Sequence, residues 1–346
     1  MKPQFNGNRS RFNNLRQRLS EQAKREIMAL SVPRPWRGLG LYLVVYLGIA
    51  SAMLFESWAK NFVVTILLIF FIAGRQHSLY VLNHDASHYG LHTSRLANKI
   101  LATWLSNLVM FHHSEAWSFI QWRRVHMLHH GHLFTKNDPN HVGRRLQGDT
   151  LQPLSASGLL LRCLKAGLLS PVQFFRARQD YVGPKMTEAE KCRFNHFMTL
   201  FQHYPGDPEM NRERWLKLFF FILTLSLIAH FDLWRPFLLL WILPMYTIYP
   251  MILTYYDLSE HRWTVDSTIL NENTRSVRFG LFGRILFGFL PRGLHLEHHI
   301  FPRVIAFDLP ELSRILEREG VIDTPASFTD FLGDLNEVKS AHELQS

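Results

Sequence analysis

The chain has 346 residues, 47% of them hydrophobic, with a formal net charge of +10 and a mean hydropathy of −0.05. The charge is not gathered into a basic stripe with interleaved aromatics, which argues against nucleic-acid binding. Only two cysteines occur, Cys163 and Cys192, so neither a disulfide framework nor a cysteine-held zinc or iron–sulfur site is supported.

Residues 1–37 form a basic arm with nine lysines and arginines, among them Arg9, Arg11, Arg16, Arg18, Lys24 and Arg25. Leu15, Leu19, Ile27 and Leu30 fall near one helical face of it. The arm is therefore expected either on an anionic lipid surface or as a solvated tail. No cleavable signal peptide is expected, because the first apolar run starts too far from Met1.

The near-zero hydropathy hides a strong segregation. Residues 38–55 and 236–256 carry no charge, and each is long enough to span a bilayer core. Shorter apolar runs, 61–74 and 218–231, are joined to them by tight turns at 56–60 and 232–235. This pairing predicts two transmembrane hairpins, four spans at about 38–56, 61–80, 216–231 and 236–256, with ends extended by snorkelling residues such as Arg75 and Lys217. The outer turns hold one cation each, Lys60 and Arg235, against nine in the arm. The positive-inside rule then places both termini and the 75–217 connection in the cytoplasm. Pro236, Pro244 and Pro250 are expected to kink the last span.

Three histidine clusters lie on that same side: HDASH at 84–88, HMLHH at 126–130 and HLEHH at 295–299. On helices, His84 and His88 stand one turn apart. His126, His129 and His130 share a face at i, i+3, i+4, and so do His295, His298 and His299. Chance would supply about 0.06 matches to HxxHH in a chain this rich in histidine, yet two are present. If the second span continues as helix, His84 lies roughly 15 Å beyond Gly74. Pro291 and Pro302 bracket the third cluster as a short helical piece. A ninth histidine, His261, follows the last span by five residues. Asp85, Asp257, Glu260 and Glu297 are candidates to orient metal-bound imidazoles through their second ring nitrogen. His77, His92, His112, His113, His132, His141, His196, His203, His230 and His342 match no ligand spacing.

Eight or nine imidazoles are too many for one zinc, which takes four ligands, and suit two first-row metals with room for oxygen. Zinc is redox-inert, whereas iron with O2 attacks unactivated C–H bonds, a reaction beyond any side chain. Histidines capping an apolar stem suit a substrate whose tail partitions into lipid.

These boxes resemble the membrane fatty acid desaturase family and its hydroxylase relatives. HDASH matches an HDxxH box, WRRVHMLHH at 122–130 a WRxxHxxHH box, and HLEHHIFP at 295–302 an HxEHHxFP box. LPEL at 309–312, LSEH at 258–261 and NTR at 273–275 are also similar to family elements. The resemblance covers about 75–315. It implies an all-α, multi-pass membrane protein: a four-span stem under a cytosolic helical cap holding two irons. Their ligands would be His84, His88, His126, His129, His130, His261, His295, His298 and His299. The domain would run over 38–315, with 316–346 as a C-terminal tail. Asp257 occupies the place where stearoyl-CoA-type members use an asparagine-held water.

The resemblance further implies an O2-dependent desaturase of fatty acyl chains, in a bacterial inner membrane or the ER membrane. Electrons would come from a separate ferredoxin, rubredoxin or cytochrome b5 with its reductase, since the HPGG haem signature of a fused b5 domain is absent. Arg123, Arg124, Arg144 and Arg145 are candidates to dock that carrier. A hydroxylase or an alkene-forming decarboxylase on the same scaffold is the nearest rival. A histidine-rich metal transporter or sensor would need ionisable groups at mid-bilayer, and only His230 lies within an expected span.

Overall fold

The computed structural model describes residues 12, 14–109, 119–133, 138, 155–176, 208–261, 274–290 and 293–343. His112, His113, His141, Arg144, Arg145, Cys192, His196 and His203 lie outside them. The described chain is almost wholly helical: α1 (Glu21–Leu30), α2 (Pro35–Ala59), α3 (Phe62–Ser87), α4 (Arg95–Ala102), α5 (Phe119–His132), α6 (Ala156–Arg176) and α7 (Pro208–His230) come first. After them follow α8 (Trp234–Glu260), α9 (Leu281–Phe287), α10 (His295–Ile300), α11 (Leu309–Arg318) and α12 (Phe328–Glu343). The two strands, β1 (Val277–Arg278) and β2 (Ala326–Ser327), pair in parallel.

Three of these helices are long and apolar enough to cross a membrane among the described residues: α2, α3 and α8, of 25, 26 and 27 residues. Proline at its first position and a left-handed Lys60 at its end delimit α2. Asn61 caps α3 by accepting from the amides of Val63 and Val64. The expected third span falls in α7, whose apolar part, Trp215–His230, is shorter than a bilayer core requires. The other spans run longer than their apolar runs. α3 carries lipid-type exposure at Phe62, Val63, Leu67 and Phe70, then is buried almost continuously from Ile72 to Ser87 inside the protein.

The last span is irregular, as its prolines require. A π-helical turn occupies Leu238–Ile242, and regular helix breaks at Thr247, just before Pro250. Gln76 of α3 donates to the Trp241 carbonyl at 2.8 Å, satisfying an acceptor in the widened turn.

Arg75 does not snorkel. Its guanidinium is buried, donates to the Ile285 carbonyl at 3.1 Å and stacks over Phe71, so it fastens α9 to α3. Gly288 makes that approach possible at φ +116, where a Cβ would lie 3.0 Å from the Gly74 carbonyl.

The basic arm is expected on lipid or as a solvated tail, but where it is described one face of it packs on the protein while the other stays exposed. Phe12, Leu19, Ala23 and Ile27 are buried in the common core, and α1 packs on α11, where Leu312, Ile315 and Leu316 are buried in turn. Its cations go to protein acceptors: Arg18 to the Gly320 carbonyl and Arg37 to Asp308, both at 2.7 Å. The expected tail likewise contributes to the core through Phe331 and Leu335, with Phe331 edge-on to Tyr255 of α8. Amphipathic helices bury their apolar face wherever a complementary one is nearer than lipid.

At the opposite end, Arg235 pairs with the buried Glu56 at 2.8 Å and ties the α7–α8 turn to α2. Arg235→Ala would leave that carboxylate buried without its cation, whereas Glu56→Gln keeps a neutral hydrogen-bonding group. Thermal unfolding in detergent is expected to show Arg235→Ala as the more destabilised, by about 2 kcal/mol, with Glu56→Gln restoring part of the loss in the double variant.

Candidate metal centre

The first histidine box sits at the C-terminal end of α3. His84 is within the helix and His88 caps it, and Tyr89 at φ 60 turns the chain so that the Gly90 amide closes onto the Asp85 carbonyl at 3.0 Å. Arg123 of α5 donates to the Ser87 carbonyl at 2.7 Å and stacks on the Tyr89 ring. It thus clamps this turn. The second box lies on α5, where Trp122 stacks on His126 with ring centroids 4.9 Å apart. The third box is α10, six residues long and entirely buried. Arg16 of the arm donates through Nε to the Ile300 carbonyl at its C-terminal end, at 3.1 Å.

These elements bring all nine histidines together in two adjacent groups. His84, His88, His126, His130 and His298 form one; His129, His261, His295 and His299 form the other. Within each group the potential ligand atoms lie within 4.8 Å of one another. In the first, His126 Nε2 is 2.9 Å from His88 Nε2 and 3.1 Å from His130 Nε2, which is 3.1 Å from His298 Nε2. In the second, His295 Nε2 is 3.0 Å from the Nε2 atoms of both His261 and His299. The groups touch: the His130 and His299 ring centroids are 4.3 Å apart. The second and third boxes each supply both groups, because i and i+4 or i+3 side chains diverge slightly around one helix face.

His261 reaches its group from outside the helix that precedes it. α8 ends at Glu260, and His261 is extended, bridged antiparallel to Thr274.

The carboxylates divide. Asp85 stands 3.5 Å from His84 Nδ1 and accepts from the Ala306 amide at 2.9 Å, joining the first box to the loop after the third. Glu260 stands 3.5 Å from His295 Nδ1. Glu297 takes the Ser276 hydroxyl instead of an imidazole. Asp257 is half-buried. The best-placed carboxylate is one that motif spacing did not reveal: Asp138, fully buried, 2.9 Å from His129 Nδ1. Its only signal in the sequence is an aspartate in the polar TKNDPN stretch, eight residues past His130. A carboxylate on Nδ1 fixes the ring so that Nε2 faces the ligand. Asp138→Ala is expected to weaken metal retention about 10–100-fold against a chelator, with Asp138→Asn milder, read as metal per chain after dialysis.

The donor set fits metal ions. Nitrogens of one kind converge at hydrogen-bond distance, which neutral imidazoles cannot satisfy by proton sharing alone. Burial, reinforced by neighbouring imidazoles, holds His126, His130, His298 and His299 well below the ordinary value of 6.5. They are therefore neutral and ligand-ready near pH 7. The unfolded chain binds more protons than the folded one below 6.5, so stability is present above that value and lost as pH falls through the lowered values. Metal-free protein is expected to lose up to about 1.4 kcal/mol per histidine per pH unit below about pH 6.5, seen as a falling melting temperature.

The family model described as fatty acid desaturase matches residues 57–321. The chain belongs to the fatty acid desaturase family. No curated protein matched in a comparison of sequences. The matched region begins near the end of α2 and closes just past α11, so it contains all three boxes and His261. Membership in this desaturase family together with three apolar helices supports a membrane location, and it suggests an oxidoreductase whose histidine groups are compatible with metal.

Proposed function

We propose that this protein is a di-iron, O2-dependent membrane desaturase of fatty acyl chains, supplied with electrons by a separate carrier protein. The observation that carries the proposal is the convergence of nine imidazoles, seven buried and two half-buried, into two touching groups beside the ends of the apolar helices α3 and α8. His84, His88, His126, His130 and His298 would hold one iron, and His129, His261, His295 and His299 the other. When bound, the irons supply the O2-derived oxidising power that a C–H bond of a methylene requires. The balance is plain: two hydrogens leave adjacent carbons, and O2 takes up four electrons, two from the substrate and two from the carrier, together with two protons from solvent, to give two waters.

The protein's own part is placement and exclusion. Asp138, Asp85 and Glu260 set ring orientation. Trp122, Phe12 and the arm close the site against water, which would otherwise quench the oxidant. α7 completes a four-span stem despite its short apolar stretch, by tilt-free packing or local thinning of the bilayer. Both termini face the cytoplasm, with the turns at Lys60 and Arg235 on the other side.

Purified protein is expected to hold about two irons per chain, as two nitrogen-rich groups require. His298→Ala should abolish conversion while leaving membrane insertion intact, measured by mass spectrometry of lipids from expressing cells. One zinc and no iron would refute the redox reading, as would turnover without O2. A product that gains one oxygen and stays saturated makes the enzyme a hydroxylase. Loss of a carbon as CO2 makes it a decarboxylase. A reporter fused after Ser346 should read cytoplasmic.

A further inference from the structure

Helix α6 belongs to no span and holds no box, yet it packs along the inner half of α8. Its buried residues, Leu159, Cys163, Gly167 and Ser170, form one stripe at helical spacing. Gly167 is the close point: a Cβ there would lie 2.5 Å from Met251 Cε and 2.6 Å from the Thr247 carbonyl. Cys163 comes near enough to Tyr255 to influence its hydroxyl. Higher numbers on α6 thus meet lower numbers on α8, and the two helices run antiparallel.

That direction fixes depth. α8 starts at Trp234, beside the outer turn, so Thr247 and Met251 lie roughly 20–25 Å into the membrane at 1.5 Å per residue. The hydrocarbon core is about 30 Å thick. Gly167 therefore sits inside the leaflet on the histidine side. The opposite face of α6 is a leucine stripe: Leu160 is 61% exposed, Leu161 67%, Leu164 41% and Leu168 72%. A stripe of this kind standing in water would be an aggregation liability.

We infer that α6 is a re-entrant helix, dipping from the cap into that leaflet beside α8, with Leu164 and Leu168 against lipid acyl chains. The charges agree with this pose. Arg162 and Lys165 lie on the cap side of Gly167, and side chains lean toward a helix's N-terminus, here toward the headgroups. From residue 166 to 175 the sequence has no charge. The inference rests on the membrane reading of α2, α3 and α8, but not on the metal or the reaction.

The test uses the full-length protein in lipid nanodiscs, with Cys163→Ala and Cys192→Ala, and a nitroxide spin label on Leu168→Cys. Leu47→Cys on the exposed side of α2 is the lipid control, and Arg314→Cys on α11 the water control. Relaxation by dissolved O2 should exceed relaxation by a nickel chelate several-fold at Leu168, as at Leu47, with the order reversed at Arg314. Nickel access at Leu168 equal to that at Arg314 would overturn the inference. So would low access to both agents with dipolar broadening, which means a second copy covers the face. If Leu47 itself reads as water-exposed, the membrane reading of α2 has failed instead. Unsubstituted protein gives an independent check: a diazirine-bearing phospholipid should label the peptide containing Leu164 and Leu168, and labelling confined to α2, α3, α7 and α8 would count against α6.

Discussion

Nitrogen lone pairs forced toward one another are the constraint around which this molecule is built. Five Nε2–Nε2 approaches of 2.9–3.1 Å occur among these rings, and burial holds His126, His130, His298 and His299 well below the ordinary imidazole value. Imidazoles left to themselves would turn apart and share protons with water. Here they are held by what lies behind them: Asp138 at His129, Trp122 against His126, Asp85 beside His84, Glu260 behind His295. A cation between the rings would turn that mutual repulsion into attraction, and its binding would then be coupled to the folding of this region.

The supporting parts come from distant stretches of chain. α3 delivers the first box as the buried continuation of a helix long and apolar enough to span, so the box is placed by the packing of that helix. α5 and α10 are short, and neither has enough apolar surface to fix its own place. They are fastened by polar ties: Arg123 to the Ser87 carbonyl, Arg16 to the Ile300 carbonyl, Ser276 to Glu297. Hydrogen bonds in which the donor, as at Arg123 and Arg16, or the acceptor, as at Glu297, can carry charge are directional, which suits parts that must be oriented more than merely buried.

What could be read from the sequence follows the range of the interactions. The histidine boxes were legible because helical spacing alone brings i, i+3 and i+4 to one face. The long apolar runs were legible because the bilayer imposes a length. Asp138 was not, because its partner is chosen by a loop's path and no spacing encodes it. The arm's docking on α11 was hidden for the same reason: an amphipathic pattern says that a face will be covered, not by what. Arg75 and Arg123 were read by charge as surface groups, but carbonyls left open at element ends captured both. α6 has two cations among its leucines, so its average hydropathy concealed a face that shows only once α8 lies beside it. The helical break before His261 was equally silent, since the extended residue depends on the bridge to Thr274.

The contact between Arg16 and Ile300 joins residues 284 positions apart, and this has a consequence for how the protein is made. The four-histidine group draws on residues 129, 261, 295 and 299, so no nascent chain shorter than 299 residues contains it. The arm leaves the ribosome before every apolar helix of the chain and cannot take this seat until the third box has emerged. The centre therefore closes late, when a segment made early meets one made 284 residues afterwards.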